Sequence, residues 1–313
     1  MNTYVGLDQA RASGPAAVTI GTFDGVHLGH RALIARTVEA AAARGISSTA
    51  VTWDRHPNVT LRPERVPPML TTPGRKLELL AASEIESTVV IPFDREFSTW
   101  PPEKFASVVL RDTLKAEIVL VGEGWRFGHK ATGDVDLLAK LGADLGFSVD
   151  PVALTDVAGG PVSSSRVREA ISLADLELAR TLLGRRFDVD GIVSAGAGRG
   201  VELGFPTANL ATEAGLLIPP RGVYAGRARV EDVWYAAAIN VGVNPTFGGD
   251  PEKTPLQIEA YLLDYSGDLY GTTVRVEFWK RLRDERKFPS AEDLIAQMER
   301  DVEATRAHIG PPS

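Results

Sequence analysis

Two histidines three residues apart, His27 and His30, end the run Gly21-Thr22-Phe23-Asp24-Gly25-Val26-His27-Leu28-Gly29-His30, which follows an apolar stretch and opens a helical pattern. Glycines at such a junction let backbone approach a ligand closely, and the start of a helix offers free N–H groups and the positive end of a dipole to an anion. Residues spaced by three at a helix start can point their rings to one side. The combination suits phosphate chemistry. A closed zinc site would want two further ligands, and the chain has five histidines and no cysteine. A glycine-rich turn with two surface histidines is the plainer alternative, and the junction outweighs it. No Gly-x-x-x-x-Gly-Lys-Ser/Thr loop occurs, and Gly196-x-Gly198 lacks the third glycine of a dinucleotide fingerprint.

Three further groups could do chemistry. The run Ser163-Ser164-Ser165, followed by Arg168, offers hydroxyls and a guanidinium to phosphate oxygens, although serines also cap helices. Gly196-Ala197-Gly198-Arg199-Gly200 precedes Leu203-Gly204-Phe205-Pro206-Thr207-Ala208-Asn209-Leu210; so glycine-rich a loop can wrap phosphates, while Thr207 and Asn209 are neutral oxygens of the kind a hard cation accepts. A turn cornered by Pro206 is the structural alternative. Glu259, one carboxylate in Gln257-Ile258-Glu259-Ala260-Tyr261-Leu262, reads on its own as an outward-facing residue of a half-buried strand. Arg275, Arg281, Arg283 and Lys287 read as solvated charges.

The elements that must position these residues change character along the chain. In the first half, short apolar runs (Ala16–Ile20, Thr49–Trp53, Val89–Ile91, Ile118–Val121) alternate with helical patterns over His30–Arg44, Lys76–Ala82, Glu103–Thr113 and Val135–Leu145. That alternation predicts βαβ units and a parallel sheet. After Ser165 a helical pattern carries Leu173, Leu176, Leu178, Leu182 and Leu183 into Gly184. From Phe187 the runs become strands with no helix between them: Val189–Val193, Tyr224–Val230, Trp234–Val241, Leu256–Leu263 and Val274–Trp279. They predict an antiparallel sheet or small barrel. A closing helix from Ala291 to His308 is announced by Pro289-Ser290 and by Glu292 and Asp293 in its first turn. The boundary between the halves is placed near Gly184.

Composition narrows the classes. At 313 residues, two domains are expected, and 44% hydrophobic with 24% charged residues is the balance of an ordinary globular protein. The absence of cysteine excludes disulfide scaffolds, thiolate metal sites and cysteine nucleophiles and fits a cytoplasmic location. With 41 acidic and 34 basic residues the net charge is −7, which argues against a general nucleic-acid binder. No apolar run approaches the roughly 20 residues of a spanning helix, and Met1 to Ala10 carries no secretory pattern.

The run from Phe23 to His30 resembles the signature of the nucleotidylyltransferase superfamily. Asp54-Arg55-His56-Pro57, Leu70-Thr71-Thr72, Gly122 to Gly128 and Ser163 to Arg168 fall in the order found in the adenylyltransferase half of prokaryotic bifunctional FAD synthetases. The C-terminal half resembles the riboflavin kinase module through Leu203–Leu210, Gly222-Val223-Tyr224, Ile239-Asn240-Val241-Gly242, Asn244–Gly248, Glu259 and Gly267–Gly271. The resemblance implies an α/β fold: a Rossmann-like nucleotidylyltransferase domain over 1–184, then an antiparallel β-barrel kinase domain over 185–313 with a terminal helix.

The same resemblance implies roles. His27 and His30 would contact nucleotide phosphates and stabilise in-line attack on the α-phosphorus, with Gly21, Phe23, Asp24, Gly25, Gly29, Ser163, Ser164, Ser165 and Arg168 around them. Trp125, Phe127 and Phe205 would contact flavin. In the kinase half, Gly198, Arg199, Gly204 and Pro206 would bind ATP, Thr207 and Asn209 would hold Mg²⁺, and Glu259 would be the general base. Expected substrates are ATP, riboflavin and FMN, with no nucleic-acid or membrane partner and a homo-oligomer left open. Two alternatives stand beside this reading. Gly124-Trp125 replaces an acidic or amide residue followed by Phe, so the adenylyltransferase half could be impaired. A flavin-binding protein without turnover is the other, and it would have no use for two ATP sites.

Overall fold

Apolar runs separated by helix-length segments cannot pair as tight hairpins, and the first half of the chain accordingly builds a parallel sheet. The computed structural model describes residues 1–10, 14–195, 204–243 and 256–309. They belong to two units, Met1–Ser164 and Ser165–Ser313.

In the first unit the strands are β1 (Asn2–Val5), β2 (Ala16–Ile20), β3 (Ser47–Trp53), β4 (Ser87–Ile91), β5 (Ala116–Gly122) and β6 (Ser148–Val152), in the order β1-β4-β3-β2-β5-β6, every pairing parallel. The helices are α1 (Leu7–Ala10), α2 (Leu28–Arg44), α3 (Asn58–Leu61), α4 (Pro73–Ala81), α5 (Pro102–Lys104), which runs into a π-helix over Phe105–Thr113, and α6 (Val135–Leu145). All five residues of β2 are buried, because sheet neighbours flank it and helices cover its faces. Strand order reverses at β2, with β3 on one side and β5 on the other, and a crevice opens at the carboxyl ends of such a switch point. The loop that carries His27 leaves β2 there.

The sequence pattern does not anticipate β1 and β6, and both are edge strands. An edge strand pairs on one side only, so its apolar signal is weak, and Pro151 in β6 is tolerated where the missing N–H faces no neighbour.

The second unit holds α7 (from Ser164, to Ser172), α8 (Leu176–Leu183) and a closed barrel. The strands β7 (Phe187–Ser194), β8 (Ala208–Thr212), β9 (Gly222–Val230), β10 (Val233–Val243), β11 (Leu256–Leu262) and β12 (Thr273–Arg283) close in the order β10-β11-β8-β7-β12-β9. Every pairing is antiparallel. Helix α8 packs on β7 and β12, and Gly184 caps it in the left-handed region. The sequence pattern assigns no strand to Ala208–Thr212; pairing with both β7 and β11 makes β8 a wall of the barrel. Among the described residues no helix is long and apolar enough to cross a membrane.

The closing helix α9 (Ala291–Ile309) packs on β9, β10 and β12 with Gln297, Asp301, Thr305 and Ile309 buried, a mainly polar stripe. Its partner is Arg283, whose Nε donates to Asp301 Oδ1 at 3.0 Å and whose Nη2 donates to Oδ2 at 2.7 Å; Gln297 Nε2 adds a third donor to Asp301 at 2.8 Å. Arg283 is therefore not a solvated charge. Nor is Arg275, paired with Asp190 at 2.6 Å on the barrel wall. Removing one partner of a buried pair strands the other. Asp301→Ala should lower the stability of the barrel unit by about 3 kcal/mol in urea unfolding; a change within the measurement error would show that α9 is held by other contacts.

Candidate active sites

The β2-to-α2 loop owes its path to three conformational demands within four residues: φ is +48° at Phe23, +81° at Gly25 and +39° at Val26. Only glycine takes such angles freely, so Phe23 and Val26 must be held by their surroundings, and both are buried. Asp24 supplies much of the hold. Its carboxylate accepts hydrogen bonds from Leu70 N at 3.0 Å, Thr71 N at 3.2 Å and Thr71 Oγ1 at 3.2 Å, while its carbonyl accepts from Ser164 Oγ at 2.9 Å.

Helix α2 starts one residue past His27, which caps it: His27 Nδ1 accepts from His30 N at 3.2 Å. His27 Nδ1 is thereby taken up by the cap, and Nε2 is the ring nitrogen left to meet a ligand. The two rings stack, centroids 3.6 Å apart and 14° from parallel, and Phe23 meets His30 edge-on at 5.2 Å. A Cβ at Gly29 would lie 3.3 Å from the His27 ring, so position 29 is kept small by the stack itself. His30 Nδ1 is shut off from solvent and has no partner. Burial first, then the neighbouring His27 and Lys76, hold the His30 imidazole well below its ordinary value. At neutral pH it is an uncharged ring that can donate one hydrogen bond.

Both histidines line a cavity of about 950 Å³. Its polar end is made by Gly21, Thr22, Gly29, Ser163 and Ser164. The other end is aromatic: Trp53, Phe93, Phe97, Trp100, Phe105, Trp125 and Phe127 form a continuous chain of ring contacts, closing with Trp125 stacked on Phe127 at 4.7 Å and 11°. A cavity with an anion-binding end and a flat aromatic end suits a phosphorylated ring compound. Of the residues expected here, Gly21, Phe23, His27, Gly29, His30, Trp125, Phe127, Ser163 and Ser164 are brought together. Asp24 and Gly25 lie behind the loop rather than in the lining. Ser165 and Arg168 belong to the second unit and are not among the lining residues.

In the barrel, register rather than a loop sets the site. Asn209 on β8 is opposite Glu259 on β11, which in turn is opposite Asn240 on β10. All three are half-buried, while Ala208, Leu210, Ile258, Ala260, Ile239 and Val241 on either side of them are buried in the barrel interior. Glu259 thus does face outward, in a polar row of three. Thr207 is half-buried two residues before Asn209, and Phe205 packs edge-on against Tyr261, two residues after Glu259, at 5.3 Å. Gly204 and Pro206 are exposed. Gly198 and Arg199 lie outside the described residues.

Sequence reasoning missed Asn240 as a site residue, the five aromatics that extend the chamber beyond Trp125 and Phe127, and Lys76. Trp53 stands on β3, and the other four, Phe93, Phe97, Trp100 and Phe105, fall forty or more residues later. Lys76 looks like any helix lysine, yet it is buried, and burial lowers its ammonium to about 8.

The fold and sites define a chain that joins a nucleotidyltransferase-like α/β unit to a small-molecule kinase barrel. The FAD synthetase family model matches residues 9–166 and the riboflavin kinase model residues 183–309. A bifunctional riboflavin kinase/FMN adenylyltransferase of Pseudomonas fluorescens is 34% identical, covering 94% of this chain and 93% of its own length. Proteins of the same description from Listeria monocytogenes and Escherichia coli are 36% and 34% identical, over 93% and 97% of this chain and 91% and 96% of theirs. A crystal structure described as a macrolide-efflux protein from Streptococcus pneumoniae superposes with a TM-score of 0.86 at 27% identity, covering 98% of this chain and 99% of that one. The chain belongs to the bifunctional riboflavin kinase/FMN adenylyltransferase family.

The cap at His27 can be separated from its ring chemistry. His27→Ala should cost the first unit about 1 kcal/mol in urea unfolding, whereas His27→Asn, which keeps an acceptor, should stay within a few tenths of the wild type. Equal losses in both variants would show that the ring's packing, not its cap, stabilises α2.

Proposed function

We infer that this chain phosphorylates riboflavin to FMN on its barrel unit and adenylylates FMN to FAD in its sheet unit, using ATP twice. The observation that carries the second activity is the single cavity that joins two stacked histidines to an aromatic chamber. There, an oxygen of the FMN phosphate attacks the α-phosphorus of ATP and pyrophosphate leaves. The attacking oxygen is already ionised, so no general base is needed. His27 and His30, as hydrogen-bond donors, stabilise negative charge that develops on the phosphate oxygens. The flavin ring lies among the aromatics. Trp125, stacked on Phe127, keeps that wall closed beside Gly124, which favours a working adenylyltransferase over an impaired one.

In the barrel, Glu259 takes the proton of the ribityl 5′-hydroxyl as that oxygen attacks the γ-phosphorus and ADP leaves. Phosphoryl transfer asks mainly for positioning and charge neutralisation, so one carboxylate suffices as base. Among the described residues no group of three or more His, Cys, Asp or Glu could hold a metal ion. Thr207 and Asn209 instead offer neutral oxygens beside Glu259, a donor set that fits a hard cation completed by nucleotide phosphates. The chemistry a magnesium ion supplies there is charge neutralisation on the phosphates. We place the functional boundary at Gly184 and the protein in the cytoplasm, the latter on its cysteine-free composition.

Separate variants test the two halves, with riboflavin, FMN and FAD followed by chromatography in the presence of ATP and Mg²⁺. His27→Ala and His30→Ala should each lower FAD formation about 10²–10³-fold and leave FMN formation unchanged. FAD production at the wild-type rate in both would refute the assignment. Glu259→Ala should stop riboflavin phosphorylation while added FMN is still converted to FAD; a surviving kinase rate removes Glu259 from the role of base.

A further inference from the structure

Lys76 on α4 is 7% exposed, and its ammonium is directed at the carboxyl edge of the sheet. Its Nζ donates to Trp53 O at 2.8 Å and Thr52 Oγ1 at 3.1 Å, both on β3, and to Thr22 O at 3.4 Å in the phosphate loop. Thr52 Oγ1 itself donates to Thr22 O at 3.1 Å, so the loop carbonyl is held twice. A leucine or methionine would dock α4 equally well by area. A buried ammonium bonded to two carbonyls and a hydroxyl, with no carboxylate among these partners, costs stability that hydrogen bonds alone rarely return.

The charged and titratable groups that face Lys76 are Asp24 in the loop, Asp54 after β3, and His30, beside His27, at the start of α2. The two carboxylates are committed elsewhere, Asp24 to Leu70 and Thr71, and Asp54 to Arg55 and to Phe93 N. Both carboxylates support the ammonium's charge from a distance, while its hydrogen bonds go to the end of β3 and to the phosphate loop. We propose that Lys76 is a positioning residue for nucleotidyl transfer, tying the phosphate loop to the end of β3 and so fixing where that loop enters α2. This rests on the assignment of His27 and His30 made above.

A charged tie between the loop and β3 predicts a pH signature that a merely structural lysine would lack. Burial brings the ammonium down to about 8, and its positive charge helps to lower His30. In the full-length protein, kcat/KM for FAD formation from FMN should fall at low pH as His30 protonates and fall again above about pH 8 as Lys76 deprotonates. In Lys76→Met the rate at pH 7 should drop about 10- to 100-fold, the usual cost of losing a group that acts through another. The alkaline limb should vanish. The acid limb should move to higher pH, because removing a positive neighbour makes His30 easier to protonate. Lys76→Arg keeps the charge, so its acid limb should stay where the wild type has it, with the alkaline limb displaced beyond pH 10. Should Lys76→Met fail to fold by circular dichroism, the arginine profile decides alone. A Lys76→Met rate at pH 7 equal to that of the wild type, or an alkaline limb near pH 8 that persists in either variant, overturns the proposal. If His30→Ala keeps its FAD synthesis, the site assignment fails first; if that variant is inactive while Lys76→Met matches the wild type, only the role of Lys76 fails.

Discussion

The carboxylate of Asp24 is the fixed point of the sheet unit. It is 1% exposed and spends its oxygens on Leu70 N, Thr71 N and Thr71 Oγ1, and Thr71 Oγ1 also accepts from Gly25 N at 3.3 Å. Two non-glycine residues at positive φ cost on the order of 1–3 kcal/mol each, and such a loop persists only where its surroundings over-determine it. Asp24 clamps the middle of that loop to the segment ahead of α4, and Ser164 clamps its carbonyl from the other side. Once the loop is set, His27 has no choice but to cap α2, and the stacking of His30 on it follows from helix geometry. A residue that never meets the cavity thus decides where both imidazoles stand.

The barrel solves the same problem, placing polar side chains at a fixed point, by different means. No strained loop places Glu259; the antiparallel register does. Alternation along β8, β10 and β11 sends Ala208, Leu210, Ile258, Ala260, Ile239 and Val241 inward, and this leaves Asn209, Glu259 and Asn240 side by side on the other face. A slip of one residue would turn the carboxylate into the apolar interior, so the core that stabilises the barrel also fixes the site. Charge on the opposite wall follows a comparable economy: Arg275 and Asp190 pair across β12 and β7, and Arg283 holds α9 through Asp301.

Much of this was legible in the sequence where the signal is local. The junction of strand, glycine-rich loop and helix identified His27, Gly29 and His30, because backbone geometry and spacing are properties of consecutive residues. The parallel-then-antiparallel order of strands was legible from the change in spacing alone. Glu259 read correctly as outward-facing, but its neighbour Asn209 lies fifty residues away, and no local pattern says which strands pair. Asp24 shows what a motif leaves out: inside a phosphate-binding run it reads as a site residue, and the hydrogen bonds of its carboxylate to Thr71 and Leu70 depend on a segment some forty-six residues away. Lys76 was invisible, since Arg75-Lys76 on a helix looks like two solvated charges until the fold inserts one of them beneath the sheet edge. The polar stripe of α9 was hidden for the same reason, its partner Arg283 belonging to another element.

The division of the cavity into a polar and an aromatic end also limits how it can choose among flavins. Trp53, Phe93, Phe97, Trp100, Phe105, Trp125 and Phe127 present faces and edges, and of their hydrogen-bonding atoms Trp100 Nε1 is buried without a partner. A wall of this kind discriminates by outline, at about 1–3 kcal/mol per methylene gained or lost, and only weakly rejects an isostere. Strong selection requires a polar group that the wrong ligand leaves unpaired, and the lining offers such groups both at the loop, in His27, His30 and Ser164, and next to the aromatics in sequence, in Ser98, Arg126 and His129. The aromatic wall therefore offers a surface suited to a flat ring, and the place where the strained loop meets α2 offers N–H groups and imidazoles suited to a phosphate.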